Sequence, residues 1–422
     1  MKVFNYLCEP GKEDCLAQYK AYGNASIFWT LVMRISVMPN GYILDKVSIK
    51  LSKTLNVICI LLGSLLQAFI SEENSNIYYI GGIFTATGSM TSLMTSITIS
   101  NFFPNNPGLA IGLVGGAWDS STAILPIFAK SYQNGTTLMT SYLILAAFGF
   151  ITGSFLTLFI YSNKQAEMSV HGNQSNKPLK GKPESLADEE DKTSEESLAL
   201  DENPQEQIAS CIDEYKMARY PTLKRAILSA PFFLNLIFYV IGYFRFSCFF
   251  ALIPNVLEKK LPEVKNELLT NLSYFLISGI LFSPFTGLFY DKCAKILKGK
   301  LEKIFKTHAE NDKLNEKLYF NSILSCFPGI CIIITATIIY SGCIFSQIKI
   351  GIYISFFFLF VKREFFFLNN SVFIRTTFRK EHFGTLYGIT NMSAGIFSLI
   401  NLGLQEMQPD GGNGVAIGLS SL

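Results

Sequence analysis

Ionisable side chains inside long apolar runs are the first candidates for chemistry in this 422-residue chain. A charge in the middle of a membrane span is costly and faces a cavity, a partner or water rather than lipid. Arg34, Asp119, Arg245 and the consecutive trio Lys362, Arg363 and Glu364 sit in such runs. Arg245, within Tyr243-Phe244-Arg245-Phe246, suits bidentate pairing with a solute carboxylate or stacking on a planar ring. Its competing role is a salt bridge to Asp119 or Glu364 that only closes the bundle. Trp118-Asp119-Ser120-Ser121 puts a ring, a carboxylate and two hydroxyls in one helical turn, a set able to hold a polar planar solute from several sides. Against that, Asp119 can serve as partner to an arginine on another helix, and the serines can bond the carbonyl four residues back. Glu364 invites proton coupling, because a buried carboxylate holds its proton more tightly. The adjacent Arg363 opposes this and favours an ion pair, and with it a facilitator without proton coupling.

The elements that must position these groups are long apolar helices. The chain is 49% hydrophobic and 14% aromatic, with 37 Phe and only 16% charge, too apolar for an ordinary soluble domain. About 20 apolar residues span a membrane, and ten such runs lie near 27–45, 54–71, 77–100, 108–130, 138–161, 226–254, 268–290, 319–341, 348–374 and 384–404. They are too long for barrel strands and lack two-residue alternation, so the expected fold is all-α and polytopic. A polar, acidic stretch divides the chain into an N-terminal bundle over 1–161, an unfolded cytoplasmic linker over 162–225 and a C-terminal bundle over 226–422. Ser185 and Ser194, each before acidic residues, are candidate phosphorylation sites or simply parts of a solvated linker.

One short pattern occurs twice, 246 positions apart: Gly41-x-x-x-Asp45-Lys46 after Pro39, and Gly287-x-x-x-Asp291-Lys292 after Pro284. Each copy closes an apolar run and opens a lysine-rich one, the mark of a transporter built from repeats. At that point the lysine meets lipid phosphates and the Asp can pair with a neighbouring helix. With the segment from Asp45 placed inside, the inner loops hold 23 Lys and Arg, the outer ones 8 and the spans 4, which fixes orientation by the positive-inside rule. The basic segments are therefore topology signals and not nucleic-acid patches; eight lysines over 291–317 lie on the anionic inner leaflet. Asn24, Asn134 and Asn271 are then candidate outer glycosylation sites, and Cys8 and Cys15 can form an outer disulfide. The other cysteines are small buried hydrophobes. The three histidines, His171, His308 and His382, have no metal-ligand spacing, and there is no phosphate loop or nucleophile motif, so neither an enzyme nor a cofactor is implied. Gly108, Gly112 and Gly116, with Ser120, form a stripe that permits close helix contact.

Longer elements carry a family resemblance. Asp14-Cys15-x-Ala17-Gln18, Gly41-Tyr42-Ile43-Leu44-Asp45, Gly116-Ala117-Trp118-Asp119-Ser120-Ser121 and Glu381-His382-Phe383-Gly384-Thr385-Leu386-Tyr387-Gly388 resemble solute carrier family 43 of the major facilitator superfamily. Its branches carry nucleobases or large neutral amino acids. The first and third elements resemble the nucleobase branch, whereas Arg245 resembles an arginine of the amino acid branch, and Arg363 falls where both have one. Val47-Ser48-Ile49-Lys50 departs from the family's usual loop. The resemblance implies a sodium-independent uniporter at the plasma membrane, with two bundles rocking around a central site and the Asp45 and Asp291 loops making and breaking inner contacts. It also implies six spans per half, so that a first helix is expected before Met1 and a twelfth beyond Leu422. The expected solute is a purine nucleobase; the alternatives are a large neutral amino acid, held by Arg245, or a membrane scaffold or receptor-like protein that transports nothing.

Overall fold

The computed structural model describes residues 16–71, 73–103, 106–160, 204–307, 313–405 and 409–421. Cys8, Cys15, His171, His308, Ser185 and Ser194 lie outside them. Among the described residues every regular element is helical. In the first half these are α1 Leu16–Lys46, α2 Ile49–Ala68, α3 Asn76–Ile97, α4 Pro107–Ser120, α5 Ile124–Gln133 and α6 Leu138–Phe155. Helix α7, Pro204–Arg219, leads into the second half: α8 Ala230–Lys260, α9 Lys265–Ile277, α10 Gly279–Thr307, α11 Leu314–Ile323, α12 Phe327–Cys343, α13 Lys349–Thr377, α14 Phe383–Phe397, α15 Ile400–Gln405 and α16 Pro409–Ser421.

Local chemistry sets many boundaries. The Ser48 hydroxyl caps α2 by accepting from Leu51 N at 3.1 Å, and Thr137 caps α6 through Thr140 N at 3.2 Å. Gly135, at φ 91°, turns the chain between α5 and α6 in a conformation that glycine adopts freely. Among the described residues five helices are long and apolar enough to cross a membrane, six when α9 and α10, bent by 47°, count as one. Among the described residues the ten apolar runs are mainly helical, but several are interrupted: 108–130 by a 3-10 turn at Ser121–Ala123, 319–341 by another at Leu324–Cys326, and 384–404 between Phe397 and Ile400. Large apolar side chains point outward, Phe148 at 67% and Ile151 at 66% exposure among them, a surface that suits hydrocarbon and not water.

The stretch 204–219, taken from the sequence as part of an unfolded linker, is helix α7. Ile208, Cys211 and Ile212 form an apolar stripe that packs on Leu297 and Leu301 of α10 and Leu318 of α11, and this burial orders the segment. Its Lys216 ammonium is pushed down from its ordinary value by burial, against the opposing pull of Asp213 at 3.5 Å.

Among the described residues two helix pairs make the most extensive contacts between the halves: α1 lies along α14, and α4 along α10. The largest core cluster runs across both, from Val37 and Met90 through Ile111 to Tyr290, Leu386 and Tyr387. The glycine stripe serves the second pair. Gly112 faces the backbone at Ser283, and Gly108 faces Gly287 so closely that a Cβ on either would strike the other's backbone. Between helices in lipid, where apolar burial gives no driving force, such backbone approach is a main source of attraction.

Candidate functional site

Asp119, near the end of α4, and Arg363, midway along α13, are both buried and form a salt bridge between the halves. The Arg363 guanidinium also lies 5.9 Å from the centre of the Trp118 ring, within cation–π range. Glu364 is not paired with its sequence neighbour. It accepts from the Ser283 hydroxyl of α10 and lies against Asp119. These side chains line a cavity of about 40 Å³ with Phe367 and Tyr387. Ligand sites run to roughly 300–1,000 Å³, so the cavity as it stands is too small for a solute of that size. The serines of the Trp118 run play other parts. Ser120 donates to Ile277 O at 2.8 Å and accepts from Ile280 N at 3.1 Å, which staples the α9–α10 break to α4, while exposed Ser121 bonds its own turn at Trp118 O.

A second buried cluster shares Phe367 with the first. Arg34 of α1 donates to Asn391 Oδ1 of α14 at 2.5 Å and lies 4.2 Å from the Tyr243 ring centre and 5.5 Å from that of Phe367. Tyr239 of α8 donates to the same Asn391 oxygen at 2.9 Å. Asn391, Tyr239 and Tyr243 carry no motif, and their roles were not evident from the sequence. The only sequence signal was a polar residue, Asn391, in an apolar run.

Arg245 stands apart. Its Nε donates to Ser341 Oγ of α12 at 3.0 Å, its guanidinium lies over the Tyr340 ring, and its terminal nitrogens have no oxygen partner among the described residues. It lines a lateral cavity of about 690 Å³ between α8 and α12, not the cavity of Asp119. The alternative salt bridges to Asp119 and Glu364 are therefore not formed. Lys362 also points away from the centre, donating to Gly242 O at 2.5 Å among the rings of Phe246, Tyr340 and Phe366.

At the Asp45 and Asp291 ends of the two crossing pairs, the repeated aspartates do the same task. Asp45 Oδ1 accepts from Gly384 N at 2.8 Å, and Oδ2 from Thr385 N at 2.6 Å and Thr385 Oγ1 at 2.7 Å. Asp291 accepts from Gly108 N and Leu109 N, each at 2.8 Å. Each carboxylate thus caps the N-terminus of a helix in the opposite half, filling its free N–H groups and meeting the positive end of its dipole. Gly41 and Gly287 allow that approach, since a Cβ on either would strike backbone, whereas Lys46 and Lys292 are exposed. His382, the residue before α14, is buried, and its imidazole is held below its ordinary value by burial and then by Lys46 and Arg379.

A family model described as Major Facilitator Superfamily matches residues 16–401. The chain belongs to this superfamily. Among curated proteins it is similar to Equilibrative nucleobase transporter 1 of Bos taurus, 21% identical over 95% of this chain and 82% of that protein. It is also similar to Protein FMP42 of Saccharomyces cerevisiae (strain ATCC 204508 / S288c), 23% identical over 94% of this chain and 80% of that one. A solved POT family transporter, crystallised with a thioalcohol-conjugated peptide, aligns at TM-score 0.38 and 13% identity over 93% of this chain and 85% of that structure.

As a member of the Major Facilitator Superfamily the chain is an integral membrane transporter and not an enzyme. The two aspartate caps lie where the halves of this superfamily protein meet, and their glycines are sensitive points. Gly287→Val is expected to destabilise the α4–α10 contact by about 1–3 kcal/mol, the usual cost of overpacking, and thermal unfolding of purified protein measures it; an unchanged midpoint would show that the contact gives way. The glycosylation candidates divide. Asn24 and Asn134 are exposed, while the Asn271 amide is engaged with Tyr353 Oη at 2.6 Å.

Proposed function

We propose that this transporter carries small planar organic solutes, purine nucleobases foremost, across the plasma membrane by alternating access. The observation that carries the reading is the central cavity. There the Trp118 ring offers a stacking face, and Asp119, Arg363, Glu364 and Ser283 offer donors and acceptors at its edge. A purine has the same division, with an apolar face and a rim of nitrogens that both donate and accept. The likeness to a bovine protein named as a nucleobase transporter supports it. The two aspartate caps supply contacts that hold the inner side closed and must break for the cavity to open inward.

The amino acid alternative relied on Arg245 to hold a carboxylate, and the placement of Arg245 in the lateral cavity removes its main support. Uptake of labelled adenine and labelled leucine, side by side in cells displaying the chain, tests both. Adenine-selective uptake is expected. Leucine-selective uptake would replace the nucleobase reading, and uptake of neither, despite normal surface display and with no solute-dependent thermal shift, would favour a scaffold.

A further inference from the structure

We infer that the lateral cavity beside Arg245 binds a long-chain carboxylic acid drawn from the bilayer, with its carboxylate on the Arg245 guanidinium and its alkyl chain along α8 and α12.

The cavity has one charged end and an apolar length. Its volume of about 690 Å³ is within the usual range of ligand sites. Helix α8 lines it from Leu234 to Arg245, about 16 Å of helix. At the Arg245 end stand Ser341 and Gly342 of α12, where Ser341 Oγ accepts from Nε at 3.0 Å and fixes the guanidinium. Away from that end the wall is Ile and Phe side chains, and the Thr337 hydroxyl among them is engaged with Ile333 O at 2.7 Å. Arg245 is the one ionisable group among the lining residues. Leu234 and Ile338 on the rim are each 67% exposed, so the cavity opens sideways, onto the apolar surface that meets hydrocarbon.

Charge selects the occupant. Arg245 is fully buried, and both of its terminal nitrogens lack an acceptor among the described residues. A guanidinium stays charged, and a buried charge without a partner is costly. The neighbours supply no anion. Cys248, one turn on, adds a thiol, which is a weak acceptor. Tyr340 offers its ring face at 5.2 Å, and the Lys362 ammonium lies 5.6 Å from the centre of the same ring, so positive charge here is doubled and not balanced. Glu364 is engaged with Ser283, Glu258 with Lys265 and Glu267 with Lys349. The two free nitrogens form the fork that a carboxylate meets with both oxygens.

Depth separates a free acid from a phospholipid. Arg245 is midway along the 31-residue α8, which places its guanidinium roughly 15 Å from either edge of the hydrocarbon. A phospholipid holds its charges at the headgroup level and would have to draw them into that layer. A single-chain acid has one small anionic end, and pairing with Arg245 neutralises it where it lies.

The test uses the full chain in phosphatidylcholine nanodiscs with a photoreactive palmitate, a diazirine in mid-chain, as probe, and locates the label by peptide mass spectrometry. Label is expected on 234–245 of α8 and 333–345 of α12, suppressed by excess palmitate and not by hexadecanol, which lacks the charge. Arg245→Gln should cut this labelling about tenfold, the loss of one charge-assisted bond, while leaving the unfolding temperature without palmitate no lower than that of wild type. Gly342→Phe fills the cavity and keeps the guanidinium, because a Cβ at Gly342 meets nothing within 4 Å, and it should lose the label as well. Equal labelling of both variants and wild type, or equal suppression by hexadecanol, reduces the site to general apolar surface and overturns the proposal. Suppression by phosphatidylserine and not by palmitate, which would assign the carboxylate to a lipid headgroup, also overturns it, as does suppression by leucine, which would make Arg245 a solute contact. Wild-type copies that cross-link to one another through this face and take no label overturn it too.

Discussion

Asp45→Ala is expected to reduce transport at least tenfold and to open the inner side of the protein. The carboxylate accepts two backbone N–H groups and one hydroxyl from the start of α14, and bonds to a charged acceptor contribute roughly 1.5–3 kcal/mol each. Even one such loss, about 3 kcal/mol with the orphaned donors included, shifts a two-state equilibrium by roughly a hundredfold. Because the bonds join the halves, that shift falls on the closed-inside state and not on folding within a bundle. Spin labels at Lys46 and Lys380, both exposed beside this contact, should report a longer and broader distance in Asp45→Ala than in the parent. Asp291→Ala should act in the same direction at the α4 contact, more weakly, because Asp291 accepts two such bonds and not three. Unchanged distances together with unchanged uptake would show that the caps do not govern access.

The repeated glycine–aspartate pattern announced a device, but not what the aspartates grip. Their partners are backbone N–H groups, which every residue except proline has, so nothing in the sequence of α4 or α14 identifies the donors. What sequence did offer was consistent with it: glycine at 108 and at 384, where a side chain would block the carboxylate. The helices themselves were legible, because a run of about 20 apolar residues has few other fates. Their interruptions were less so. The break at Ser278 is held by Ser120 from another helix, and a contact 157 residues away leaves no local trace. Helix α7 was hidden by its neighbourhood: its apolar stripe is short and follows directly on an acidic stretch that sets the local composition.

Facing was the hardest property to read. In water a helix shows its buried side through polarity, but lipid is as apolar as Leu, so an apolar helix gives little sign of which side meets the protein. Arg245 and Arg363 are equally conspicuous in sequence and lie in separate cavities. Adjacency misled in the same way. Arg363 and Glu364 look like an ion pair, yet consecutive helical residues point about 100° apart, and each finds its partner on another helix.

That arrangement sets the order of effects for the central cluster. Removing one member of a buried ion pair costs about 3–5 kcal/mol, because the other charge is left without compensation. Asp119→Ala leaves Arg363 with Glu364 within the same cavity, so a substitute pair can form and folding should survive while transport is lost. Arg363→Ala leaves two carboxylates in contact and no guanidinium, and should lower thermal stability more as well as abolish transport. The double variant Asp119→Ala, Arg363→Ala keeps one carboxyl, which can be neutral, and should be more stable than Arg363→Ala alone. Lysine at 363 should not rescue transport, since an ammonium lacks the planar fork that bonds Asp119 while lying over Trp118. Uptake, surface display and thermal unfolding of these four proteins separate the roles. If both single variants display normally and fail only in uptake, the cluster serves the solute; if Asp119→Ala unfolds as readily as Arg363→Ala, Glu364 is no reserve partner and the pair is a structural tie between the halves.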